Sequence, residues 1–79
     1  MKFIFYSKPG CPQCSVLKKK LDIAGIQYTH YEDVEAIMAL GYKGAPLLRI
    51  INEDTESFYC GPEAIKWITN WIKEHPNGN

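Results

Sequence analysis

Apolar positions along the chain recur with two different periods, and the changes of period divide it into seven elements. Phe3-Ile4-Phe5-Tyr6, bounded by Ser7 and the Pro9-Gly10 breaker, reads as a short buried strand within residues 1–6. After Cys14 the period becomes helical. Val16, Leu17, Leu21 and Ala24 fall on one side, Ser15, Lys18, Lys19 and Asp22 on the other, and Gly25 stops the helix. Ile26 to Tyr31 alternates and is rich in β-formers, which predicts a second strand, with His30 an ordinary surface or strand-end histidine. Glu32 and Asp33 open a short helix, their charges suiting its positive end; Val34, Ile37, Met38 and Leu40 are its apolar positions, with Met38 read as packing, and Gly41 closes it. Tyr42-Lys43-Gly44-Ala45 is a loop. Pro46 leads the apolar run Leu47–Ile51, where proline is tolerated as a strand's first residue. Asn52-Glu53-Asp54 is turn chemistry, and Thr55–Tyr59 forms the returning arm of a hairpin. The last helix begins at Gly61-Pro62-Glu63, turns Ala64, Ile65, Ile68 and Ile72 inward, and ends at His75-Pro76-Asn77-Gly78. Trp67 and Trp71, one turn apart, form a covering layer over the sheet edge; an aromatic surface for a partner is the other reading.

The order is strand, helix, strand, helix, strand, strand, helix. A helical crossover makes the first two strands parallel and right-handed, and the hairpin adds two antiparallel strands. The expected class is α/β: a four-stranded mixed sheet with three helices on its faces.

Composition narrows the function classes. A chain of 79 residues is read as one domain over residues 1–79, with a small core that buries about 60% of its unfolded surface. Nine basic and nine acidic side chains cancel, which leaves no electrostatic footprint for nucleic acid or an anionic membrane. Proteins or small molecules are the expected partners. The run Lys18-Lys19-Lys20 reads as a solvated helix face rather than a docking patch. The N-terminal apolar run is too short for a signal peptide and no stretch reaches membrane-spanning length, so a cytoplasmic protein is expected. Three cysteines, two of them at close spacing, fit a reducing compartment with a working dithiol better than a secreted disulfide framework.

That close pair lies in Lys8-Pro9-Gly10-Cys11-Pro12-Gln13-Cys14, between the first strand and the first helix. Pro12 has the backbone angle wanted at a first helical position and lacks only a donor that would have no intrahelical partner there. Cys11 is then the N-cap, and Cys14, about one turn on, lies on the same helix face. A thiolate at the N-cap meets unpaired N–H groups and the positive helix end, which take a cysteine from about 8.5 down to roughly 3.5–7.5; Lys8 is placed to add to this. Cys11 is therefore assigned as the attacking thiolate and Cys14 as the resolving thiol. The competing reading is half of a zinc site, which needs two further ligands from Cys60, His30 and His75.

With Tyr-Ser-Lys-Pro-Gly-Cys-Pro-Gln-Cys at the first junction and Gly44-Ala45-Pro46 before the third strand, the chain resembles a small glutaredoxin over nearly its full length. The resemblance implies a thioredoxin-like three-layer α/β/α fold and thiol-disulfide oxidoreductase activity, with Cys11 and Cys14 catalytic and Lys8 and Pro12 supporting them. It implies no bound cofactor or metal, a cis Ala45-Pro46 bond, and main-chain pairing of Ala45 with an extended, disulfide-bearing client. Glutathione is the implied co-substrate, on Lys8, Gln13, Ala45, Pro46, Gly61 and Glu63. Several positions depart from the pattern: Cys60 replaces a glycine, Pro62 offers no N–H, Glu63 is the only acidic residue left there, and Gln13 stands where a tyrosine is common. A redoxin recharged by thioredoxin reductase and serving ribonucleotide reductase is accordingly the alternative. A zinc or iron-sulfur module is the alternative of another class, against which Pro12 argues. A copper chaperone shares the Cys-x-x-Cys position but has strands where this chain has its second helix. Cys60 reads as a small buried hydrophobe at a strand end; its functional reading is glutathionylation or competition with Cys14. A monomer is expected.

Overall fold

Phe3-Ile4-Phe5-Tyr6 carries no polar alternation because the strand it forms, β1 (Lys2–Ser7), is central and covered on both faces. The computed structural model describes residues 1–75. β1 pairs in parallel with β2 (Tyr28–Glu32) and antiparallel with β3 (Leu47–Ile51), and β3 pairs antiparallel with β4 (Glu56–Cys60), giving the order β2-β1-β3-β4. On one face Phe3, Phe5, Leu48 and Ile50 meet α1 (Pro12–Ile23) and α3 (Pro62–Glu74) through Leu17, Leu21, Ala64 and Ile68. On the other, Ile4, Tyr6 and Leu47 meet Ile37 of α2 (Val34–Ala39). These are the three layers and the mixed four-stranded sheet expected from the sequence.

α1 and α2 each end at a glycine of positive φ, Gly25 and Gly41. After α1 the N–H of Gly25 reaches Asp22 O at 3.1 Å and that of Ile26 reaches Leu21 O at 3.1 Å, with Gly25 at φ +73°. This is the paired C-terminal motif that needs a left-handed residue, and side chains other than glycine resist that conformation. It also explains why β2 starts at Tyr28 rather than Ile26: the Ile26 N–H is committed to the helix end, and its side chain is buried beneath it. Glu32 ends β2 instead of opening α2, whose N-cap is Asp33 alone, with Oδ1 accepting from Ala36 N–H at 3.2 Å. In the hairpin, Thr55 O accepts from Asn52 N–H at 2.8 Å, so Thr55 closes the turn and β4 begins one residue later.

Three apolar positions assigned inward face solvent: Val16 is 42% exposed, Val34 44% and Met38 64%. In α1 the inward stripe is Cys14, Leu17, Leu21 and Ala24, which leaves Val16 off its edge. α2 has six residues, too few to turn more than one buried position onto the sheet, and Ile37 takes it. The last helix closes at His75, whose N–H bonds Trp71 O at 3.0 Å; the expected terminus at Pro76-Asn77-Gly78 lies outside the described residues. Trp67 packs between Phe3 and Tyr59, with ring centroids 5.9 Å away on each side, and Trp71 stacks on His75. No helix among the described residues is long and apolar enough to cross a membrane.

Outside the core, Asp22 ties α1 to β2. It accepts from Tyr28 O–H at 2.8 Å and from Lys18 Nζ at 3.1 Å. The Tyr28 bond first, and Lys18 second, hold the Asp22 carboxyl below the usual carboxylate range. A carboxyl depressed in the folded state contributes stability above its unfolded value, about pH 4, that is lost as pH falls through its folded value. Asp22→Asn will therefore lower the urea midpoint at neutral pH, and the difference from the parent will shrink as pH falls through the folded value of the carboxyl. In the core, Leu17→Ala will cost about 2–5 kcal/mol by urea unfolding, whereas Met38→Ser will change stability by less than about 0.5 kcal/mol.

Candidate active site

The turn from β1 into α1 is made at Gly10, at φ +66° with open space where a Cβ would lie, so the backbone angle rather than crowding calls for glycine. Cys11 follows in extended conformation as the N-cap of α1, with Pro12 at the helix start. The N–H of Cys14 donates to Cys11 Sγ at 3.1 Å, the bond an N-cap side chain makes to a first-turn donor. No acidic residue stands in that first turn to oppose a negative sulfur. The two cysteines are joined as a disulfide, their Cα atoms 5.2 Å apart. Cys14 is buried in the α1/α3 core, while Cys11 is half-buried at its rim.

Beside the pair opens a cleft of about 460 Å³, between the first half of α1 and the ends of β1 and β2. Its walls include Phe5, Ser7, Lys8, Cys14, Lys18 and His30. His30 is the middle residue of β2 and is exposed. Its Nε2 lies 2.7 Å from Ser7 Oγ, and its ring stacks on Phe5 with centroids 4.7 Å apart and planes 10° from parallel. The parallel register sets Phe5 opposite His30, so the strand alternation that faces Phe5 toward α1 also faces His30 there. The signal that finds it is this pairing register, not any pattern local to His30.

The remaining candidates lie around the start of α3. Ala45-Pro46 is cis, and Pro46 is buried with its carbonyl accepting from Gly61 N–H at 2.8 Å. Gln13 Oε1 lies 3.7 Å from where a Cβ on Gly61 would stand. Gln13, Pro46 and Gly61 thus share one corner, with Ala45 packed against both cores and Glu63 exposed in the first turn of α3. Of the residues expected to contact a co-substrate, Lys8 alone lines the cleft. Cys60 is half-buried on the α2 side, its S–H donating to Gly44 O at 3.4 Å. No group of three or more His, Cys, Asp or Glu side chains that could hold a metal ion occurs among the described residues.

The architecture and the position of the pair define a thioredoxin-like fold with a Cys-x-x-Cys at its first strand-helix junction. Among solved structures the chain is similar to NrdH-redoxin from Escherichia coli, described as a glutaredoxin-like protein with a thioredoxin-like activity profile. The TM-score is 0.63 at 22% identity, over 89% of this chain and 93% of that one. No protein family and no curated protein matches the chain in sequence.

The exposure difference and the N-cap bond have a direct chemical readout. In the reduced protein at pH 7, iodoacetamide will modify Cys11 at least roughly tenfold faster than Cys14, as read by peptide mass spectrometry, because Cys11 combines access with a stabilised thiolate. Equal rates would contradict the assignment.

Proposed function

We propose that the protein is a dithiol-disulfide oxidoreductase of the redoxin kind. The observation that carries this is the Cys14 N–H bonded to Cys11 Sγ at the start of a helix, with the second sulfur buried one turn behind. The Cys11 thiolate attacks a client's disulfide, forming a mixed disulfide and releasing one client thiolate. Cys14, deprotonated, then attacks Cys11 Sγ, which closes the Cys11–Cys14 disulfide and releases the second client thiolate. The client leaves reduced by two electrons and the protein oxidised by two. Lys8 and Pro12 support the nucleophile, and the Ala45 main chain offers an extended client a strand-like edge.

For the electrons that restore the dithiol, a thioredoxin reductase is the donor we infer ahead of glutathione. A glutathione carboxylate at the start of α3 needs free N–H donors. There the Gly61 N–H is taken by Pro46 O, Pro62 has none, and the Ala64 N–H bonds Gly61 O at 3.1 Å. That leaves the N–H of Glu63, whose own carboxylate repels an anion. The thioredoxin-like activity profile described for NrdH-redoxin supports the same choice. Glutathione is the second reading, favoured by Lys8 beside the pair and by Gln13 against Gly61.

The oxidised protein will consume NADPH with thioredoxin reductase and a disulfide substrate, and will do so poorly with glutathione and glutathione reductase. Turnover with glutathione alone would reverse the choice of donor. Cys11→Ser will abolish reduction in either system, whereas Cys14→Ser will accumulate a mixed disulfide on Cys11; reduction by Cys11→Ser would overturn the reading itself.

A further inference from the structure

We propose that His30 is the proton acceptor for Cys14 in the step that closes the Cys11–Cys14 disulfide, and that Ser7 is the residue positioning its ring. The inference rests on the dithiol reading above and concerns its second step.

Cys14 must lose a proton before it can attack. It is buried among Phe5, Leu17 and Leu21, surroundings that oppose ionisation of a thiol. Unlike Cys11, its sulfur accepts no hydrogen bond from the described residues. The cleft is its outlet. Cys14 and His30 line the same cavity of about 460 Å³, many times the roughly 30 Å³ share of one water, so a proton can cross on solvent. The Ser7 bond and the Phe5 stack hold the imidazole at that wall, and Ser7, itself buried, does nothing else among the described hydrogen bonds. The other charged groups facing the cleft are Lys8 from the β1–α1 turn, Lys18 from α1, held by Asp22, and Glu32 from β2. Glu32 shares the His30 face of β2 by alternation. Histidine is the base among these whose type changes charge between about pH 5 and 8.

The step balances without a further reagent. Neutral His30 takes the Cys14 proton and becomes imidazolium. The Cys14 thiolate attacks Cys11 Sγ, the S–S bond to the client breaks, and the client thiolate departs with the electron pair. The imidazolium then returns its proton to that thiolate or to water.

The test uses full-length protein in a Cys60→Ser background, reduced and mixed in stopped flow with dithiobis(nitrobenzoate). This disulfide releases one coloured thiolate when Cys11 attacks and a second when Cys14 closes the ring. The second release is independent of reagent concentration and isolates the Cys14 step. His30→Gln will slow it at least roughly tenfold at pH 7 while leaving the first release unchanged. The pH dependence of the parent's second phase will be changed in the variant. Ser7→Ala will slow the same phase to a smaller degree. Added imidazole will restore the rate of His30→Ala, which a merely structural role would not permit. A His30→Gln protein whose second phase matches the parent in rate and pH profile would overturn the proposal and leave the dithiol reading standing. Absence of a concentration-independent second phase in the parent would overturn both.

Discussion

One hydrogen bond organises the candidate site: the Cys14 N–H to Cys11 Sγ, at the first turn of α1. It requires a helix to begin at that residue, and the local sequence supplies the means. Gly10 takes the left-handed turn, Cys11 stays extended, and Pro12 enters the helix without a donor to leave unpaired. The same bond separates the two sulfurs chemically. Cys11 sits half-buried at the rim, where in the proposed reading the reduced sulfur ionises, and Cys14 is carried one turn inward into an apolar core.

The rest of the fold holds that turn in place. β1 delivers the chain to it from the middle of the sheet, with Phe3 and Phe5 packed under α1 and Ile4 and Tyr6 over α2. A strand fixed on both faces cannot slide by one residue without exchanging those sets, so the position of Gly10 and Cys11 at its end is fixed as well. The second anchor is at α3, where Gly61 N–H bonds Pro46 O and binds the start of that helix to the start of β3. That bond takes the Gly61 N–H, and Pro62 brings none to the start of α3.

Element order, the parallel first pair and the Cys11–Pro12 helix start were legible in the chain, since each depends on residues a few positions apart. Glycine and proline mark the ends, and the central strand shows as an unbroken apolar run. Legibility failed where a third partner decides. Met38 and Val34 have helical spacing, yet α2 is so short that Ile37 alone fills its contact with the sheet. Ile26 has strand chemistry, but its N–H belongs to the end of α1. His30 is unremarkable in its own segment and acquires Ser7 and Phe5 as neighbours only through pairing with β1.

The central claim is that the helix start ionises Cys11 near neutral pH, and titration of the thiolate absorbance in reduced Cys14→Ser, Cys60→Ser protein tests it most directly. The account predicts a midpoint below about 7.5, in the range of helix-start cysteines. A midpoint at or above about 8.5, that of an unperturbed thiol, would contradict it.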